Sequence, residues 1–185
     1  MTRPQLYNDQ QLVAAIQQGD KDSFRELYDR HKDRLYRVSL MLCQNRQDAE
    51  DAFQESFVKI FKNIGTLRNP DRVTAWMLRI VVNTAKTKLK VQPETWNELE
   101  EKHTVMNSTT HSTSLNNWNE LLSAVRRLPL GYRNVFVLHA IQDLPQETVA
   151  SILNISTGTV KSQFHRARKK LQIILKEMGL RFENQ

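Results

Sequence analysis

The sequence predicts an all-α chain of two small helical domains, residues 1–91 and 119–185, joined by a polar linker over 92–118. Three observations carry that reading. Apolar residues recur at spacings of three and four through both ends of the chain, and no alternation of period two is sustained in the first half. Between the ends, VQPETWNELEEKHTVMNSTTHSTSLNNWN has weak periodicity, a proline and a cluster of Ser, Thr and Asn, with room for a short helix around Trp96 to Lys102. A length of 185 residues suits one large domain or two small ones, each with a core of modest size.

The elements follow in order. In DQQLVAAIQQG, Leu12, Val13 and Ile16 share a helical face, and Gly19 is placed for a left-handed C-cap. Asp20 and Asp22 offer N-caps for a second helix carrying Phe24, Leu27 and Tyr28, which continues or restarts through Leu35, Tyr36, Val38 and Leu42. The third helix, DAEDAFQESFVKIFKNIG, places Ala49, Phe53, Phe57, Ile60 and Phe61 on an apolar stripe and Glu50, Asp51, Gln54 and Glu55 mainly away from it. TLRNPDR is loop, with Asn69 and Pro70 as punctuation and Asp71 able to cap the fourth helix, VTAWMLRIVVNTAKTKLK. Beyond the linker, LLSAVRRL leads through Pro129 and Gly131 into YRNVFVLHAI; Asp143 and Pro145 open QETVASIL, Asn154 to Ser156 turn the chain, and TGTVKSQFHRARKKLQIILKEM is a long final helix.

Composition narrows the function classes. Lys and Arg number 27 against 20 Asp and Glu, a net charge of +7 that favours a polyanionic partner, nucleic acid or an anionic membrane surface. The single Cys43 cannot form an internal disulfide, no run of about 18 apolar residues is present, and MTRPQLYNDQ lacks a signal-peptide core, so a reducing, cytoplasmic location is expected. No phosphate-cradling glycine loop and no Cys or His set at zinc spacing occurs, so neither an enzyme nor a metal or cofactor site is expected. The cluster Asp48, Glu50, Asp51 is spread around one helix rather than gathered for a metal.

The last two helices carry the pattern of a helix-turn-helix DNA reader. Val149, Ala150 and Leu153 would face inward, Ile155 would plug the turn, and Val160 and Phe164 would seat the second helix. Thr157, Thr159, Lys161, Ser162, His165 and Arg168 then lie on or near the outside, and Ser156 or Thr157 can cap the helix. No acid occurs from Thr148 to Lys176 to cancel Lys161, Arg166, Arg168, Lys169 and Lys170. The bland alternative is a solvated basic surface helix. In the first domain, charge is segregated differently: acidic Asp48 to Glu55 is followed by acid-free Arg72 to Gln92. Carboxylates are repelled by phosphate, so two partners are implied, a basic protein surface and a nucleic acid.

The stretches LVAAIQQGDKDSFRELYDRH, DAEDAFQESFVKIF, TAWMLRIVVNTAKTKL and RLPLGYRNVFVLHAIQDLPQETVASILNISTGTVKSQFHRARKKL, in this order and spacing, resemble the extracytoplasmic-function (ECF) sigma factors, group IV of the sigma-70 superfamily. The resemblance covers nearly all of the chain except the linker. It implies a bundle like sigma region 2 and a helix-turn-helix domain like sigma region 4. It implies binding to the clamp helices of the largest subunit of core RNA polymerase through Asp48, Asp51, Gln54 and Glu55. It also implies recognition and opening of the promoter element about ten base pairs before the start, where a protein pocket captures an unstacked base. Leu67, Arg68 and Asn69 would sit in the capturing loop, Asn83 would read a base edge, and Arg79, Lys86, Lys88 and Lys90 would meet phosphates. Trp76 is either a stacking platform or core, and its apolar neighbours favour core.

The resemblance further implies that the second domain reads the element about thirty-five base pairs upstream through Lys161, Ser162 and Arg166, with Arg133, Thr159 and Arg168 near phosphates, and engages the flap of the second large subunit. An anti-sigma factor, in such families often membrane-anchored, would mask both faces and hold the chain at the inner face of the bacterial membrane; no small-molecule substrate is implied. The chain departs from the common pattern at Thr87, where many members have Asp, at Lys90, where many have Arg, and at Gln163-Phe164, where many have Arg-Leu. Phe164 still fills an apolar position, while Lys161 and Gln163 bear on the upstream sequence read, since Lys lacks the planar fork of Arg. The nearest rival is a stand-alone regulator whose first domain dimerises or senses a ligand and whose second binds a palindromic duplex.

Overall fold

The computed structural model describes residues 7–88 and 115–180, which fall into two units, Met1–Leu89 and Lys90–Gln185. The described residues form helices and no strand. Lys90 and the short helix expected at Trp96 to Lys102 lie outside the described residues.

In the first unit, α1 (Asp9–Gln17) starts at a capping box in which Asn8 Oδ1 accepts from the Gln11 amide and Gln11 Oε1 accepts from the Asn8 amide. It buries Leu12 and Val13 completely and ends at Gly19, whose φ of +93° is open to a residue without Cβ. α2 (Lys21–Leu42) is one uninterrupted helix capped by Asp20, and it buries Leu27, His31, Leu35, Val38, Met41 and Leu42. α3 (Arg46–Asn63) is capped by Asn45 and packs on both α2 and α4 (Val73–Lys88).

The inward stripe of α3 differs from the one predicted. Ala49, Ala52, Ser56, Phe57 and Ile60 are buried, Phe53 is half-buried, and Phe61 is 58% exposed. Small residues line the seam, with the Ser56 hydroxyl satisfied by the Ala52 carbonyl at 2.6 Å. Phe53 and Phe61 stand at the rim instead, and the rings meet edge-on in the pairs Phe24–Phe61, Tyr28–Phe57 and Tyr36–Phe53. Between α3 and α4 run two 3₁₀ turns, Ile64–Thr66 and Pro70–Arg72. The second is capped by Asn69, whose Oδ1 accepts from the Asp71 amide; Asp71, expected as the cap, lies within that turn. α4 buries Val73, Met77, Leu78, Val81, Val82, Thr84 and Ala85.

In the second unit, α5 (Leu115–Arg126) begins inside the stretch read as linker. α6 (Leu130–Phe136) follows Pro129 and runs into a π turn, Val137–Ile141. Asp143 then takes φ +53°, and α7 (Gln146–Leu153) starts after Pro145. Asn154, at φ +57°, ends α7 in the left-handed region that Asn enters more readily than most residues. α8 (Thr157–Glu177) is capped by Ser156 and buries Val160, Gln163, Ala167, Leu171, Ile174 and Leu175, a continuous seam at spacings of three and four. α8 packs on α6 and α7, and Arg127 pairs with Glu177 at its far end. Among the described residues no helix is long and apolar enough to cross a membrane.

Candidate functional site

The acidic face of α3 follows from its register. Asp48, Asp51 and Glu55 lie three and four residues apart and so share one side of the helix, with Gln54 beside them. Asp51 and Gln54 are exposed, and Asp48 and Glu55 half-buried. Asp48 is held by Asn45, which receives the Asp48 amide hydrogen and donates from Nδ2 to Asp48 Oδ2 at 2.8 Å. Next to this face, an open groove of about 370 Å³ between α2 and α3 is lined by Tyr28, Lys32, Asp33, Tyr36, Glu50 and Phe53, among others.

Glu55 does more than face outward. Its Oε1 pairs with Lys59 Nζ at 2.8 Å and its Oε2 with Lys88 Nζ at 3.1 Å, reaching across to the end of α4. The hydrogen bonds from Lys59 and Lys88 hold the Glu55 carboxyl below its ordinary range, and Glu55 holds the Lys88 ammonium above its own. Lys88, placed on the DNA side by the resemblance, is therefore partnered by a residue of the acidic face.

On α4, Arg79, Asn83 and Lys86 recur at spacings of four and three and form one side. Arg79 and Asn83 are exposed; Lys86 is half-buried, and burial pushes its ammonium below the usual value. Trp76, expected in the core, is only half-buried and lies in line with Ile80 and Asn83 on the helix surface. In the loop before α4, Arg68 and Asn69 are exposed and Leu67 half-buried. Gln17, at the end of α1 and given no role by the sequence, donates from Nε2 to the Leu67 carbonyl at 2.9 Å. A contact between residues so far apart in sequence leaves no local signal.

On α8, Lys161, Ser162, His165, Arg166, Arg168 and Lys169 are exposed opposite the buried seam. Thr159 is half-buried, its amide and hydroxyl both engaged by Ser156 Oγ at 3.0 and 2.8 Å. Ser162 Oγ donates to the Thr159 carbonyl. Arg133, expected near phosphate, is not on this surface. It is 3% exposed, and its guanidinium donates to the Leu128 and Arg126 carbonyls, so it closes the α5–α6 turn from inside. The chain needs donors there because Pro129 supplies no backbone N–H. Gln163 is likewise 7% exposed, and its Oε1 has no hydrogen-bond partner among the described residues.

This arrangement matches known proteins along most of its length. Residues 27–93 match the family model described as Sigma-70 region 2, and residues 118–171 match that described as Sigma-70, region 4. The chain is 32% identical over 177 residues to the ECF RNA polymerase sigma-E factor of Haemophilus influenzae, covering 89% of this chain and 93% of that protein. It is 29% identical over 180 residues to the ECF RNA polymerase sigma factor SigW of Bacillus subtilis, covering 90% and 96%. In fold it is similar to CnrH, solved in complex with the cytosolic domain of CnrY, with a TM-score of 0.69 at 24% identity over 91% of this chain and 97% of that one. It is also similar to the sigma factor RpoE of Bartonella quintana, solved with the anti-sigma factor NepR, with a TM-score of 0.67 at 22% identity over 85% and 98%. Two region models in the expected order and a relative above 30% identity across nearly its whole length leave one assignment: the chain belongs to the sigma-70 family, as an ECF RNA polymerase sigma factor.

Proposed function

We propose that the acidic face of α3, Asp48, Asp51, Gln54 and Glu55, docks on the clamp helices of core RNA polymerase, while two further surfaces read promoter DNA. The loop Leu67 to Asn69, the α4 side of Arg79, Asn83 and Lys86, and the basic residues Lys88 and Lys90 after it in the sequence take the downstream element; Lys161, Ser162, Arg166 and Arg168, with Thr159 at the helix start, take the upstream one. The observation that carries this reading is the separation of charge by helix. Three carboxylates, Asp48, Asp51 and Glu55, share one side of α3, whereas α4 and α8 contain no acid before Glu177. A basic protein groove suits the first surface and a phosphate backbone the others. Residues 1–91 serve core binding and the downstream element, and 119–185 the upstream element and the flap of the second large subunit.

An anti-sigma factor that covers the acidic face and α8 would hold the chain inactive in the cytoplasm, and a membrane-anchored one would hold it at the inner face. The Bartonella relative was solved with an anti-sigma factor, NepR.

The test is reconstituted transcription from core polymerase, the chain and promoters selected from genomic DNA. Asp51→Arg is expected to abolish binding to core, and Arg166→Ala to keep core binding but lose selectivity for the upstream element. A chain that ignores core polymerase and shifts a palindromic duplex alone would instead be a stand-alone regulator.

A further inference from the structure

The loop that the proposed reading assigns to base capture is short of internal constraint. Asn63 to Asn69 is organised by the Leu67 amide donating to Ile64 at 3.1 Å and the Thr66 hydroxyl donating to Asn63 at 2.8 Å, both local. Its second half is a turn closed by Asn69, again locally. Among the described residues, the hydrogen bonds that reach this loop from another element come from Gln17: Nε2 lies 2.9 Å from the Leu67 carbonyl and 3.5 Å from that of Ile64. The Leu67 carbonyl immediately precedes Arg68, so the bond fixes the peptide plane from which the exposed Arg68 and Asn69 project.

Gln17 is itself held by a well-anchored helix. α1 is closed at its start by the Asn8–Gln11 box and fixed through the fully buried Leu12 and Val13. Its first residue is tied to α2: Asp9 Oδ1 pairs with Arg30 at 2.8 Å and Asp9 Oδ2 accepts from His31 Nε2 at 2.7 Å. α1 therefore runs from a pinned N-terminus to an amide aimed at the loop.

We infer that Gln17 is a positioning residue for downstream-element reading: its side-chain amide holds the Leu67 carbonyl and so sets the geometry of the Leu67–Asn69 loop for the displaced strand. The inference rests on the proposed assignment of that loop. Loss of one such donor is expected to cost about fivefold in the affinity difference between correct and incorrect bases, the equivalent of about 1 kcal/mol.

The experiment uses holoenzyme made from the full chain and core RNA polymerase, with a library of short single-stranded DNA randomised over the downstream element. The readout is the affinity ratio between the most enriched sequence and its single-base variants. Gln17→Met matches the length without a donor; Gln17→Lys restores a donor; Arg68→Ala tests the loop itself. Thermal unfolding and core-polymerase affinity are measured alongside. The expected result is that Gln17→Met lowers discrimination with melting and core affinity unchanged, that Gln17→Lys recovers the base preference, and that Arg68→Ala lowers binding. If Arg68→Ala lowers binding but Gln17→Met discriminates like the wild type, the role of Gln17 is wrong and the loop assignment stands. If neither variant changes binding, the loop assignment fails and takes the inference with it. A Gln17→Met chain that loses stability and core affinity together with discrimination would make Gln17 a purely structural residue.

Discussion

At the scale of single residues, burial decides what charge is for. Arg133 donates to two carbonyls around Pro129, and truncation would leave them buried without donors. Arg133→Ala is expected to destabilise the second unit by about 2–3 kcal/mol in chemical denaturation. It should leave the slope of DNA affinity against salt unchanged, whereas Arg166→Ala should reduce that slope by about one. His31 gives a second prediction. Burial lowers the imidazole from its ordinary 6.5, outweighing the attraction of the Asp9 carboxylate; Arg34 and Arg30 push the same way as burial. The neutral ring is thus the native form, and the unfolded chain binds the extra proton first. Stability contributed here is complete above about pH 6.5 and declines as pH falls toward the lower folded value. Urea midpoints measured between about pH 7 and pH 5 should fall with acidity, and less steeply in His31→Gln. Neither role was legible in sequence: an arginine in a helix and a histidine on an apolar face look alike whether solvated or buried until the packing partners are known. The outward set on α8 was legible, because a helix seated through Val160 and Phe164 leaves Lys161, Ser162, Arg166 and Arg168 exposed.

At the scale of elements, caps and turns were read well and stripe details less well. Gly19, Asp20, Asn154 and Ser156 each act where short polar or Cβ-free residues are required, which is local chemistry. The α3 stripe rotated because Ala52 and Ser56 admit the neighbouring helices, a preference that periodicity of large apolar residues does not register. Trp76 fell to the surface for a related reason, since α4 offers Met77, Leu78, Val81 and Val82 to the seam instead. The turn between α7 and α8 aims the reading helix, and its Asn154 stands at φ +57°. Asn154→Ala is expected to lower the stability of the second unit by about 1–2 kcal/mol, and Asn154→Gly to leave it nearly unchanged, as measured by thermal or urea unfolding. Gln163→Met, which removes a buried oxygen with no partner among the described residues, should be neutral or stabilising in the same assay.

At the scale of the whole molecule, the order of two helical units, the intervening polar segment and the placement of acid before base were all visible in the sequence, because they are properties of composition and order. Tertiary links such as Gln17 to Leu67 were not, because they join positions that no window spans together. The pair between Glu55 and Lys88 is another such link, and it carries a thermodynamic consequence. One end belongs to the surface assigned to polymerase and the other to the helix assigned to DNA. A cationic partner that takes Glu55 frees Lys88 for a phosphate, and a phosphate that takes Lys88 leaves Glu55 with Lys59 and one oxygen open to a cation, so each ligand raises the affinity of the other by the same factor. Both side chains are partly exposed, so solvent and salt keep that factor small. In a double-binding cycle, Glu55→Gln should tighten DNA binding by the free chain while diminishing the increment that core polymerase adds. The ion pair would then act as a weak reciprocal ratchet, biasing the initiation factor to engage its template in company rather than alone.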